Sequence, residues 1–399
     1  MDRTAGETVH DRYELREDLG SGGFATVWRA RDAERDREVA LKLPSFHAHD
    51  RATVRERFER ERRLLEPFAE GLSHGTVVRY LDGDLDAEPQ YIALELLDGD
   101  PLAAAFGTGS LGSAVRRRIV TDLAETLDFI HRNGVVYLDL KPENVVLRRS
   151  GRPVLYDFNT AVRRSESVET RFGADQFKAP ELLAGEDVDA AVGAPADVFS
   201  WGKLAFYLLT GVKVPTTNVP DGGLDPRDHG ARVDDALADV IQRATVPDPE
   251  GRPDDGVALA GAVAGATGRA PRAVAMHPSG VECAVADGDS IGRLAPDELV
   301  PWVVLADRQG HVAPRHARFG HAGGAWTLED RSRQGTYVAG DGGWRLALSE
   351  AGYRAHLEQG RLDADDPRPP AERPLPVTAT VAPVHPEYGI RLRVRTPDG

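Results

Sequence analysis

The sequence predicts an α+β chain in three stretches: a β-rich region carrying one long helix, a mostly helical region, and an all-β module. Three observations carry that expectation. Residues 13 to about 100 break into short apolar runs around a single helical period, "ATVRERFERERRLLEPF" at 52–68. Residues 101 to about 268 hold helical periodicities, as in "SAVRRRIVTDLAETLDFIHRNG" at 113–134. From about 281 onward, short runs rich in Val, Leu, Trp and Tyr alternate with glycine turns. The expected boundaries are a tail at 1–12, a first domain at 13–268 dividing between 97 and 98, a linker at 269–280, and a β-sandwich at 281–399. A polar, proline-rich insertion, "DADDPRPPAERP", falls at 363–374.

A chain of 399 residues has room for two or three cores. Its net charge of −15 argues against nucleic acid and anionic membranes as partners, since both need a positive surface. The single cysteine, Cys283, cannot form an internal disulfide, which fits a reducing, cytoplasmic setting. "MDRTAGETVHDRYEL" has no apolar signal segment, and "GVALAGAVAGATG" is too short and glycine-rich to span a bilayer, so the chain reads as soluble. Only five of the 49 basic residues are lysine: Lys42, Lys141, Lys178, Lys203 and Lys213. Where arginine has displaced lysine almost everywhere, each survivor is a candidate for a site that needs a compact ammonium.

The β-rich region opens with "LGSGGFATVWRA" at 19–30, either a hairpin turn or a loop whose glycines let backbone approach phosphate. In "VALKL" at 39–43, Lys42 sits near the centre of an apolar strand, either snorkelling from an edge or reaching a phosphate. On the following helix Val54, Phe58, Leu65 and Phe68 share one face, and at 100° per residue Glu61 falls in the middle of it. A lone carboxylate on a buried stripe needs a cation, and Lys42 is the candidate. Glu59 points away, into solvent. The helical region then opens with an amphipathic helix through Val115, Ile119, Leu123, Leu127 and Ile130, closed by Gly134. After it, "VVYLDLKPENVVL" at 135–147 places Asp139, Lys141 and Asn144 in an otherwise apolar run, and "VLYDF" ends a short strand on Asp157. Carboxylate and amide oxygens suit Mg²⁺ beside nucleotide phosphates.

In this order and spacing the pieces resemble the protein kinase family, over residues 13 to about 266. The resemblance implies a bilobal fold, a β-rich N-lobe at 13–97 and a helical C-lobe at 98–268, with ATP and Mg²⁺ between them. It places Gly20, Gly22 and Val27 in the glycine-rich loop, with Ala40 also at the nucleotide. It pairs Lys42 with Glu61 and puts Leu94, Glu95 and Leu97 at the adenine. It makes Asp139 the proton acceptor for the substrate hydroxyl, sets Lys141 on the γ-phosphate, and gives the metal to Asn144 and Asp157. "KAPEL" and "DPEGRP" imply a structural pair between Glu181 and Arg252, and Asp197 of "ADVFSWG" braces the catalytic loop. Lysine two residues after Asp139 resembles the serine/threonine branch, whose substrates are protein Ser and Thr hydroxyls.

Five positions depart from the family pattern. Tyr137 and Leu138 replace the His and Arg that usually precede the aspartate, and Leu138 cannot pair with a phosphorylated loop. Asn159 replaces a glycine, at a place where an unusual φ is expected. Ala25 replaces the third loop glycine, and Ala174 a threonine. The groups for proton transfer and metal binding are intact, so an active enzyme is expected; the alternative is a pseudokinase scaffold that holds nucleotide and reads phosphoproteins. Ser165, Ser167 and Thr170 in the activation segment are candidate autophosphorylation sites.

"SIGRLAPDEL" and "RHARFGHAGGAWTLEDRSRQGTYVAG" resemble a forkhead-associated domain, a β-sandwich whose loops at one end bind phosphothreonine. The resemblance gives Arg293, Arg315, Gln334 and Thr336 as candidate phosphopeptide contacts, with His316 structural. Ala313 stands where a phosphate-contacting serine is expected, and Gln334 replaces an asparagine, so the alternative is a sandwich that docks a partner or the first domain itself. Thr4 and Thr8 of the tail, each followed by an acid three residues later, are candidate ligands for this module.

Overall fold

A computed structural model describes residues 3–164, 176–183, 193–295, 299–307, 309–340 and 343–397. The first sheet has six strands: β1 (Thr8–Val9), β2 (Tyr13–Ser21), β3 (Ala25–Asp32), β4 (Arg37–Pro44), β6 (Tyr80–Asp84) and β7 (Tyr91–Glu95), in the order β1-β2-β3-β4-β7-β6. Helix α1 (Arg51–Ala69) and the short strand β5 (Leu72–His74) come between β4 and β6. The expected tail is therefore folded: β1 pairs with β2, and the Gly6 N–H donates to the Leu15 carbonyl at 2.8 Å. Thr8 sits in that strand opposite Glu14, its backbone in the ladder and the residue exposed.

Asp50 caps α1 by accepting from the Thr53 N–H at 2.9 Å. The helix buries Val54, Phe58, Glu61, Leu64, Leu65 and Phe68, so the carboxylate does lie in the apolar stripe. The helical region follows: β8 (Gly99–Pro101), α2 (Leu102–Gly107), α3 (Ser113–Arg132), β9 (Val135–Val136), β10 (Val145–Arg148), β11 (Pro153–Leu155), β12 (Val162–Arg163), α4 (Pro180–Leu183), α5 (Ala194–Thr210), α6 (Asp235–Ala244) and α7 (Gly256–Thr267). From Ile119 to His131, α3 is buried on every side, because α5, α7 and the C-terminal module all pack on it. Its first turn is outside that core, and Val115 is exposed.

The remainder is almost entirely β: β13 (Ala273–Met276), β14 (Glu282–Val285), β15 (Ser290–Arg293), β16 (Val303–Leu305), β17 (Ala317–Ala322), β18 (Ala325–Asp330), β19 (Thr336–Gly340), β20 (Gly343–Ala347), β21 (Glu372–Pro374), β22 (Thr378–Ala382) and β23 (Leu392–Arg395). One helix, α8 (Glu350–Glu358), interrupts it, unforeseen in the sequence. The strands form two six-stranded sheets, β14-β13-β23-β22-β19-β20 and β21-β18-β17-β15-β16-β5. Two expectations change here. The linker at 269–280 contains β13, paired with both β14 and β23. The insertion at 363–374 ends in β21, which pairs with β18.

The second sheet also takes a strand from the first domain. β5 pairs antiparallel with β16, Ser73 opposite Val304, and the ladder extends through Ala306 N–H to the Gly71 carbonyl (2.8 Å) and Gly75 N–H to the Trp302 carbonyl (2.9 Å). Glycine is required at both ends. A Cβ on Gly71 would lie 2.3 Å from the His277 ring, and one on Gly75 2.3 Å from the Pro301 carbonyl. Trp302 seals the junction with its ring edge-on to His74, 4.3 Å between centroids. Just past the end of α3, Asn133 exchanges two hydrogen bonds with the Glu282 backbone (2.8 and 3.0 Å), and Arg269 and Arg272 reach Glu125 (3.2 Å) and Asp128 (2.6 Å) of that helix. No helix among the described residues is long and apolar enough to cross a membrane.

Candidate functional site

The site begins with the β2–β3 hairpin. Gly20 has φ +146°, open to glycine, and its N–H is held by the Asp18 carboxylate at 2.8 Å, while the Gly22 N–H donates to the Ala25 carbonyl at 2.8 Å. Cross-strand pairing puts Val27 opposite Lys42 and Ala40 opposite Leu94, so one end of the sheet collects the loop, the lysine and the start of the connection to the helical region. Leu94 is buried and Leu97 packs against the core. The Glu95 side chain is occupied structurally. It accepts from the Arg79 N–H (3.1 Å) and pairs with the buried Arg148 (2.7 Å).

Lys42 Nζ is 2.6 Å from Glu61 Oε2 and 2.9 Å from Asp157 Oδ1. Burial pushes the ammonium down, but the Asp157 and Glu61 carboxylates outweigh it and its net shift is upward. Burial also raises the Glu61 carboxyl, and the Lys42 contact only partly opposes that. The short double contact keeps the lysine charged and fixed. Asp157 reaches this position with φ +64°, so the unusual backbone angle expected at Asn159 falls two residues earlier.

On the helical side, Pro142–Asn144 forms a 3₁₀ turn, so the proline starts a turn within a loop. Asp139 accepts from Asn144 Nδ2 at 2.7 Å and contacts Lys141 Nζ at 2.9 Å. Burial raises the Asp139 carboxyl, while Lys141, Lys178 and Asn144 pull it down, leaving the net shift upward. The Tyr156 N–H donates to the Asn144 carbonyl at 3.1 Å, tying the Asp157 strand end to the catalytic loop. Asn144 offers its amide oxygen and Asp157 a half-buried carboxylate. Two hard oxygen donors fit Mg²⁺, which takes few protein ligands and completes its shell with water and phosphate.

Other expected residues lie beneath these groups. Asp197 is fully buried and accepts from the N–H groups of Tyr137 and Leu138, both at 2.6 Å, and from His131 Nε2 at 2.8 Å. His131 Nδ1 accepts from the Gly256 N–H at 2.7 Å, so its hydrogen is on Nε2. Arg252 grips Glu181 through two parallel contacts of 2.7 and 3.0 Å and gives its other donors to backbone carbonyls. Leu138 is fully buried in an apolar cluster with Val136, Val162, Ala179, Leu182, Ala196 and Phe199, which takes the place of a charged contact to the activation segment. Tyr137 stacks edge-on against Phe158 at 5.0 Å. Ser165, Ser167, Thr170 and Ala174 lie outside the described residues.

Lys178, marked in the sequence only as one of five scarce lysines, stands 3.8 Å from Asp139 Oδ1. His131 and Arg148 carried no signal at all.

At the loop end of the C-terminal module, Arg315 is exposed, while Arg293 is half-buried and donates to the Leu294 carbonyl at 3.2 Å. Gln334 is half-buried. His316 is fully buried, bonded to the Ala313 N–H (3.0 Å) and the Gly335 carbonyl (3.1 Å). Thr336 departs from its expected role: it is fully buried, and its hydroxyl donates to Asp330 at 2.8 Å. That leaves it holding a turn beneath the surface.

The protein kinase domain profile matches residues 13–223. The serine/threonine-protein kinase PknB of Mycobacterium leprae is 31% identical over 273 residues, covering 61% of this chain and 41% of that protein. PknA of Nostoc is 31% identical over 264 residues, 62% of this chain and 46% of that protein. The chain thus spans less than half the length of these relatives. A solved structure described as "PpkA-294 apo form" superposes with a TM-score of 0.53 at 20% identity, covering 66% of this chain and 99% of that one, a likeness of fold. With its profile match spanning more than half the sequence, the chain belongs to the protein kinase family.

Proposed function

We propose that this protein is a serine/threonine kinase that moves the γ-phosphoryl group of ATP to Ser and Thr hydroxyls of other proteins. The observation that carries this is the pair of linked clusters: Lys42 held by Glu61 and Asp157, and Asp139 held by Lys141 and Asn144. Lys42 presents a fixed positive charge to the α- and β-phosphates. Asp139 takes the proton of the attacking hydroxyl as the new O–P bond forms and ADP leaves. Lys141 offsets charge on the transferred group. Asn144 and Asp157 would hold Mg²⁺, which neutralises phosphate charge when bound. The chain contributes alignment and electrostatics rather than a covalent intermediate. Incubation with labelled ATP and Mg²⁺, beside Asp139→Asn, tests it. Label transfer by the wild type alone is expected. Nucleotide binding without transfer would instead establish the scaffold reading.

The C-terminal module is proposed as a forkhead-associated domain that docks phosphothreonine peptides through Arg315, Arg293 and Gln334. The exposure of Arg315 supports it. Titration with a labelled phosphothreonine peptide and its unphosphorylated twin tests this, and equal affinity would refute it. The cytoplasm is the proposed compartment, on the strength of the single buried cysteine.

A further inference from the structure

One of the five lysines stands at the proposed proton acceptor, and two more lie around the residues just before it in the chain. Lys178 stands 3.8 Å from Asp139 Oδ1, the atom proposed to take the substrate's proton. The preceding residues, Gln176 and Phe177, line a shallow pocket together with Lys203, Phe206, Tyr207 and Lys213. Lys213 is exposed, its ammonium 5.1 Å from the Tyr207 ring and 5.9 Å from that of Phe177. Lys203 is buried, with its ammonium on the Val214 carbonyl. Neither Lys203 nor Lys213 has a carboxylate within 4 Å among the described residues. The other buried cations of the chain face carboxylates, as Arg148 does Glu95 and Arg252 does Glu181. Among the described residues Lys203 has a carbonyl and Lys213 two aromatic rings beside its charge, and burial lowers Lys203 to about 8. An incoming carboxylate would offset that cost.

We infer that this lysine-bearing shelf selects substrates with Asp or Glu flanking the acceptor Ser or Thr. Lys178 meets an acid adjacent to the acceptor, and Lys213, backed by Lys203, meets one farther along the peptide. Phe177 and Tyr207 wall the shelf, and an apolar wall strengthens a charge contact laid against it. The inference rests on the phosphotransfer reading and names the substrate class for it.

The test uses the full-length protein and three peptides sharing one Ser/Thr core, flanked by acids, by alanines or by arginines. The acidic peptide is expected to show a kcat/KM about tenfold above the arginine peptide, mostly in KM and shrinking with added salt. Lys213→Glu should cut that ratio about threefold. Lys178→Gln should cut it further, with Lys178→Arg restoring part of it. Because the readout is a ratio within one preparation, partial unfolding of a variant does not move it. Equal rates on all three peptides, a preference for arginine, or a ratio unmoved by Lys213→Glu would overturn the inference alone. No transfer to any peptide, with wild type and Asp139→Asn indistinguishable, would bring down the phosphotransfer reading and this inference with it.

Discussion

The cleft and the loop end of the C-terminal module are both phosphate sites on sequence grounds, yet their polar groups are used differently. In the cleft, Lys42 bonds to Glu61 and Asp157 from separate elements, and Asp139 bonds to Asn144 within the loop that follows α3. Their partners are other members of the same site. In the module, the hydroxyl of Thr336 and both ring nitrogens of His316 are spent inside the fold, and Ala313 brings no hydroxyl. That leaves Arg315, Arg293 and Gln334. The comparison teaches that a motif supplies chemical groups, while packing decides which of them still face a ligand.

The largest break in that comparison is Asp139→Asn. Phosphotransfer should fall by at least about a thousandfold, with nucleotide affinity by calorimetry little changed. Glu61→Gln comes next. It strips Lys42 of a buried partner and should lower kcat about a hundredfold in single-turnover assays, through misplacement rather than lost chemistry. In the module, Arg315→Ala should weaken phosphothreonine peptide binding about tenfold without lowering the midpoint of denaturation. Thr336→Val should do the reverse. It removes a donor from buried Asp330 and costs about 1–2 kcal/mol in urea unfolding, weakening the peptide only as far as folded protein is lost.

The smallest effect lies at the junction between the two. Burial raises the Glu125 carboxyl to about 7, against the Arg269 contact that lowers it. The folded state therefore binds more protons than the unfolded chain between the ordinary carboxylate range and pH 7, and stability falls as pH rises through that window. The melting temperature should drop by about 1–2 °C per pH unit there. Glu125→Gln should flatten the slope.

Much of the cleft was legible because its signals are local. Glu61 could be placed on the α1 stripe from helical geometry, and the need for a cation followed from burying it. Asp139, Lys141 and Asn144 stood out as polar groups inside an apolar run. The module was less legible, because whether a threonine or arginine points inward depends on strand register and on neighbours far away in sequence. Thr336 faces Asp330 for that reason.

The amino-acid order by itself determined the succession of β-rich, helical and β-rich stretches, the charged pair of the cleft, and the shortage of lysine. Only the tertiary structure decided that Leu72–His74 would join the distant strand Val303–Leu305, and that Lys178 would stand beside Asp139. Strand pairing is made by backbone N–H and C=O groups, which every residue but proline carries alike. The sequence therefore marks which segments are able to pair, and packing of His74 against Trp302 and against Phe129 of helix α3 selects which pair forms.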